Sequence, residues 1–225
     1  MNILLLIGSP KVKQSNSEAL SDYLLQQLIK KGAATQKMII RHTLQEDGGM
    51  DKLLSAVNAC DVLILSFPLY VDSLPSSVIK VMEAIADQQQ GSHISPPHGR
   101  DQALMAICNC GFPEAKHNNT ALAICRCFAK STGFQWLGGL LMGSGEVIGG
   151  KPLANLGGMV RNQVKALDMA AEAITQGKHL PEEAVDLFKK PLVPRWLFLY
   201  CGHFGWRRQA RENGVLKRIR EQPYK

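Results

Sequence analysis

The chain has 225 residues, 45% of them hydrophobic and 20% charged, with a formal net charge of +7. This is ordinary globular composition, long enough to bury a sizeable core, and no stretch approaches the roughly 20 apolar residues that a membrane-spanning helix needs. The basic excess is local: residues 187–225 hold ten Lys/Arg and two Asp/Glu, so the rest of the chain is at −1 and its charge carries no message about partners.

Residues 3–7 form a continuous apolar run ended by Gly8-Ser9-Pro10, which reads as a buried parallel strand. The run is too short and lacks the preceding basic residues for a secretory signal, so a cytoplasmic location is expected. Residues 16–31 read as a helix with Leu20, Leu24 and Leu28 on one stripe and Gly32 as its stop. A short strand at 38–40, a helix at 49–58 and an apolar strand at 61–66 follow. The pattern then gives a helix at 76–90, a polar loop at 91–101, a strand at 103–108 and a helix at 117–131. A fifth strand at 136–142, a Gly-rich loop at 143–152 and a helix near 157–177 complete the series.

Strands alternating with helices predict an α/β fold: a five-stranded parallel sheet with helices on both faces. One of the two common solutions has strand order 2-1-3-4-5. In either, the ligand crevice lies beyond the carboxyl ends of the strands, which directs attention to the loops after strands one, three and four. The organisation expected is a domain over 1–180 and a C-terminal extension over 181–225.

The first loop, GSPKVKQSNS over residues 8–17, is neither a G-x-x-x-x-G-K-[ST] nor a G-x-G-x-x-G motif. It nevertheless offers what a phosphate monoester needs. Ser9, Ser15 and Ser17 bring hydroxyl donors, Lys11 a charge, and the helix start outward-facing N–H groups. A helix cap at Ser15 or Asn16, with Glu18 completing a capping box, explains the same residues. In the second loop, residues 66–75, Pro68 stiffens the strand exit, and Leu69, Tyr70 and Val71 present an apolar, aromatic wall. Such a wall suits a flavin ring, or packs on the next helix. The third loop begins Asn109-Cys110-Gly111, where glycine permits close backbone approach and Cys110 is either a redox participant or an inert neighbour.

Together, residues 1–10 and 66–75 resemble the flavodoxin-like NAD(P)H-dependent FMN reductase family, which includes the iron–sulfur flavoproteins. GSPKVKQSNS is similar to that family's GSPR-x-x-S-x-S phosphate loop, and PLYVDSLP to its P-x-Y-x-x-x-x-P flavin loop. In strand–helix order the likeness covers about residues 1–175. It implies a flavodoxin-like three-layer fold with order 2-1-3-4-5. It also implies FMN held through its phosphate by Ser9, Lys11, Ser15, Asn16 and Ser17, with ring contacts from Pro68, Leu69, Tyr70 and Val71. By position, Asn109, Cys110 and Gly111 cover the other ring edge. NAD(P)H is implied as co-substrate and a homodimer as the assembly, with the flavin near the subunit boundary. Lys11 stands where the family has arginine, which keeps the charge and loses the bidentate geometry. The compact cysteine cluster of the iron–sulfur members is missing before Cys60, so no cluster is expected. Nor do Cys108, Cys110, Cys125 and Cys127 have the usual zinc-ligand spacing; no metal site is assigned.

The extension holds seven of the chain's fourteen aromatic residues from position 187 on, followed by Arg207, Arg208, Arg211, Lys217, Arg218 and Arg220. It reads as a dimer arm, a membrane-surface helix or a nucleic-acid contact, the last set aside. The function expected is an FMN-dependent NAD(P)H oxidoreductase that passes electrons to a small acceptor: a quinone, a nitro compound or a flavin. The alternatives are a flavodoxin-type electron carrier, which the basic charge disfavours, and a non-catalytic binding module on the same fold. The redox chemistry belongs to the cofactor, so no catalytic residue is named.

Overall fold

The structure is a computed structural model that describes residues 1–91 and 102–222. Most of the polar loop expected at 91–101 lies outside the described residues.

Five strands, β1 (Asn2–Ile7), β2 (Ala34–Ile39), β3 (Val62–Pro68), β4 (Ala103–Asn109) and β5 (Gln135–Met142), form one parallel sheet in the order β2-β1-β3-β4-β5. The uninterrupted apolar runs follow from burial on both faces. In β1, Ile3, Leu5 and Ile7 face one core while Leu4 and Leu6 face the other. The first core is closed by α1 (Asn16–Lys30), α6 (Arg161–Thr175) and α7 (Glu182–Lys189). The second is closed by α2 (Ile40–Thr43), α3 (Gly49–Ala59), α4 (Ser76–Gly91) and α5 (Asn119–Ser131).

Several elements differ from expectation for local reasons. β2 starts at Ala34 rather than 38, because on an edge strand the polar Thr35, Gln36 and Lys37 stay partly or fully exposed. The short α2 follows it directly. The helix expected from 157 begins at Arg161, since Gly157 has φ +53° inside a preceding 3-10 segment, Leu153–Val160. Another 3-10 turn, Ala115–Asn118, precedes α5.

The chain divides into two compact units, Met1–Leu192 and Val193–Lys225. The first extends past the boundary expected at 180 because α7 is part of the core. Phe188 is fully buried, Leu180 N–H donates to the Leu137 carbonyl at 2.8 Å, and Gln163 Nε2 donates to the Lys190 carbonyl at 2.7 Å. The second unit is α8 (Arg195–Glu212) with a short 3-10 turn, Leu216–Arg218. α8 ends in a Schellman motif: Gly214, at φ +70°, donates to the Arg211 carbonyl and Val215 to that of Ala210. No helix among the described residues is long and apolar enough to cross a membrane.

Candidate functional site

The carboxyl ends of β1, β3 and β4 bring three loops to one rim. Gly8 leaves β1 still in the ladder, its N–H donating to the Ser66 carbonyl at 2.8 Å. A Cβ here would lie 2.1 Å from Val78 Cγ2, so glycine is what lets α4 pack against the loop. The chain then turns into α1, capped by Ser15, whose Oγ accepts from Glu18 N–H at 3.1 Å. The reciprocal half of a capping box is not made, because the Glu18 carboxylate turns to the Lys37 ammonium at 3.3 Å. The capped amide is that of the third helical residue. The N–H groups of Asn16 and Ser17, in the first helical turn, have no intrahelical acceptor.

A buried polar network ties the loops together. Ser66 Oγ donates to the Ser17 carbonyl at 3.1 Å. Asn109 Nδ2 donates to Ser17 Oγ at 2.8 Å and to the Phe67 carbonyl at 3.3 Å. Leu69 N–H donates to the Asn109 carbonyl at 2.8 Å, continuing the β3–β4 ladder into the second loop. Asn16 Oδ1 accepts from Gly150 N–H at 2.8 Å, which draws the loop after β5 to the same rim.

These loops enclose a cleft of about 210 Å³. Its lining comes from Ser9, Lys11, Ser15, Asn16 and Ser17 of the first loop and Pro68, Leu69 and Tyr70 of the second. Asn109, Cys110 and Gly111 of the third loop complete it with Glu146. Val71 is not part of the lining. It is 98% exposed, at φ +47° beside Asp72 at φ +57°. The two are the central residues of a tight turn closed by paired bonds between Tyr70 and Ser73, both 2.9 Å. A β-branched residue at positive φ is strained, and no sequence preference announces it.

Glu146 was missed by sequence reasoning, which searched the loops after strands one, three and four and left the Gly-rich loop after strand five aside. The signal was its glycines. A Cβ at Gly145 would come within 3.1 Å of the Cys110 carbonyl, and one at Gly150 within 2.4 Å of the Gln14 carbonyl. Both mark close approach of this loop to the first and third. Glu146 follows in a 3-10 turn, Gly145–Val147, with its carboxylate about 4 Å from where a Gly111 side chain would begin.

The polar donors have a definite polarity. Ser9 Oγ accepts from Lys11 N–H at 3.4 Å, Ser15 Oγ from Glu18 N–H and Ser17 Oγ from Asn109 Nδ2, so each hydroxyl keeps its proton to donate. At the other side, Cys110 Sγ is turned into the protein. It lies 3.7 Å from the Phe112 and Glu114 carbonyls and accepts from Asn118 Nδ2 at 3.3 Å. Burial pushes this thiol up, outweighing the hydrogen bonds with Phe112 and Asn118 that act the other way. It is held as a neutral thiol, unlike an activated nucleophile. Among the described residues no group of three or more His, Cys, Asp or Glu is arranged to hold a metal.

No curated protein matches the chain in sequence. Solved structures match in fold. An FMN-dependent NADH-azoreductase from Bacillus anthracis, in complex with FMN, aligns with a TM-score of 0.52 and 13% identity, covering 77% of this chain and 99% of the other. A flavodoxin from Streptococcus pneumonia TIGR4 aligns with a TM-score of 0.53 and 13% identity, covering 79% and 99%. A Klebsiella pneumoniae protein carrying the name of a quinone reductase aligns with a TM-score of 0.56 and 15% identity, covering 80% and 87%. Residues 1–144 match the sequence profile of a family described as having the flavodoxin-like fold, and with well over half of its length matched the chain belongs to that flavodoxin-like family.

Proposed function

We propose that the cleft binds FMN and that the protein is an FMN-dependent NAD(P)H oxidoreductase delivering electrons to a small acceptor such as a quinone, a nitro compound or a flavin. One observation carries the reading. Loops far apart in sequence line one cleft, the first contributing hydrogen-bond donors and a cation and the second an apolar, aromatic wall. That asymmetry fits a ligand with a phosphate at one end and a flat, largely apolar ring at the other.

The donor set supports the fit. Three hydroxyls with their protons free, two amides in the first helical turn and the Lys11 ammonium suit a phosphate dianion. Asn16 spends its Oδ1 on Gly150, so its part is to draw the fifth loop onto the first. Pro68, Leu69 and Tyr70 flank the ring, and Tyr70, 44% exposed, stacks on it. Gly111 leaves the backbone bare beside the ring edge, and the Glu146 carboxylate is an acceptor for a ligand N–H or hydroxyl. When bound, FMN supplies the exchange of an electron pair between a nicotinamide and the acceptor, and the chain orients and tunes it. Cys110 takes no part: its thiol stays protonated and faces inward.

At about 210 Å³ the cleft is small against the ~300–1,000 Å³ of typical ligand sites, so it grips the ligand from one side and leaves a face for co-substrate and acceptor. Val12, Tyr70, Val71 and Phe112 are exposed on the three loops at this rim. They supply apolar surface for a second copy, which supports a homodimer with the flavin near the boundary.

The test is titration of purified protein with FMN, followed by flavin fluorescence and thermal shift. Quenching and stabilisation are expected, and their absence in a folded protein sinks the proposal. Anaerobic addition of NADH or NADPH then separates reductase from carrier. Bleaching near ~450 nm within turnover times supports the reductase, and persistent yellow supports the carrier. Equilibrium sedimentation reads the oligomeric state.

A further inference from the structure

α8 spans 18 residues and opens with RWLFLYCGHFGW. Trp196, Tyr200 and Phe204 recur at four-residue spacing on one stripe, with Leu199, His203 and Trp206 on the adjoining one, so all six share a face. On it Trp196 is 70% exposed, Tyr200 66%, Phe204 65% and Trp206 66%. Phe198 and Gly205, on the other side of the helix, are partly buried, as is Leu197 at the edge of the aromatic face beside Phe204. At ~150–250 Å² per aromatic side chain, four of them two-thirds exposed present on the order of 400–700 Å². Exposed apolar patches of that size mark interaction sites. Arg207 and Arg211 continue the same face, and Lys217, Arg218 and Arg220 follow the Gly214 turn.

Charge decides between occupants. The unit Val193–Lys225 holds eight Lys/Arg and two Asp/Glu, a net +6, whereas Met1–Leu192 holds 18 and 17, a net +1. A second copy therefore brings no net negative charge in either unit, and pairing two α8 faces sets +6 against +6. An anionic bilayer satisfies both halves of the pattern. Tryptophan and tyrosine settle at headgroup depth, and arginine reaches lipid phosphates while its stem stays apolar.

We propose that α8 and the basic turn behind it dock the protein on an anionic lipid surface. The helix is too polar to span, so it lies in the interface with its aromatic face inward. The docking needs no flavin and is independent of the function proposed above.

Full-length protein is sedimented with vesicles of phosphatidylcholine alone or of a phosphatidylcholine–phosphatidylserine mixture. It pellets with the mixture, less as salt rises, and its tryptophan emission shifts to the blue. Trp196→Ala and Trp206→Ala each lower partitioning on the order of tenfold. The double change Arg207→Glu, Arg211→Glu removes the preference for the anionic mixture. All variants keep the wild-type circular dichroism and sedimentation coefficient. The proposal is overturned by failure to pellet, by equal pelleting with both vesicle types, or by binding the tryptophan variants leave unchanged. It is likewise overturned if single-stranded RNA displaces the protein from vesicles through the same tryptophans. A changed sedimentation coefficient in the tryptophan variants assigns the face to a contact between copies instead.

Discussion

A methyl group at position 8 would collide with the helix that follows the second loop. In Gly8→Ala the new Cβ lies 2.1 Å from Val78 Cγ2, 3.1 Å from Phe67 Cβ and 3.6 Å from Val78 Cβ. Val78 is 1% exposed and Phe67 fully buried, so neither can swing into solvent. Valine is also stiff at χ1, and the strain is relieved by moving α4 or the loop. Overpacking of this kind costs about 2 kcal/mol. For a unit of this size that lowers Tm by about 4–8 °C. Val78→Ala alone costs a similar amount, through lost burial and a cavity. In the double variant the methyl introduced at position 8 occupies the space of the missing Cγ2, leaving only the milder contacts. The double variant is therefore less destabilised than the sum of the singles by about 1–2 kcal/mol, measured by urea unfolding. Because Gly8 leads directly into Ser9, FMN affinity falls in Gly8→Ala and recovers in the double variant. Additivity of the stability changes to within about 0.5 kcal/mol would refute the packing account.

Val71→Gly raises apo-protein stability by about 0.5–1 kcal/mol. Relief of the left-handed backbone (~1–2 kcal/mol) exceeds the added chain entropy, and an exposed side chain loses no burial; chemical denaturation that shows no gain refutes the strain. Of the six thiols only Cys127 and Cys201 are exposed. A disulfide reagent at mildly alkaline pH should therefore titrate two quickly in the native protein and all six after denaturation. Burial pushes the Cys60 and Cys125 thiols up from 9.0 to about 12 and Cys108 well above 9.0. The folded state thus keeps protons that the unfolded chain releases. Stability is fully present below pH 9.0 and is lost as pH rises toward about 12, by up to about 1.4 kcal/mol per pH unit for each thiol. Urea midpoints across that range should fall, and Cys125→Ala should flatten the slope; a pH-independent midpoint contradicts the burial.

Legibility in the sequence followed how local each determinant is. The runs in β1, β3 and β4 announce themselves because both faces are buried, leaving no polar alternation to confuse them. The α1 start is legible because a cap is settled within a few residues, although Glu18 pairs with Lys37 across space instead of closing a box. The start of β2 is hidden because its polar edge is tolerated only by its position in the sheet. Glu146 was signalled only by the glycines of its loop, and the Asn16–Gly150 bond not at all, since it joins segments about 130 residues apart. The Val71-Asp72 turn contradicts its own residue preferences and is fixed by the paired bonds around it.

The network at the rim also bears on how binding depends on these residues. Ser17 Oγ accepts from Asn109, the Ser17 carbonyl accepts from Ser66, and Asn109 in turn holds Phe67 and Leu69. The hydroxyl that faces the cleft is therefore also a joint between the first, second and third loops. Losing Asn109 Nδ2 removes no donor from the ligand end of the cleft, yet it frees Ser17 Oγ to rotate and loosens the first loop against the third. Weaker binding in such a variant reports lost preorganisation. Loss at Lys11, an exposed side chain with no part in that network, reports lost charge and diminishes as salt is raised. Salt dependence thus separates the two kinds of contribution, and a cleft assembled from long-range bonds must show both.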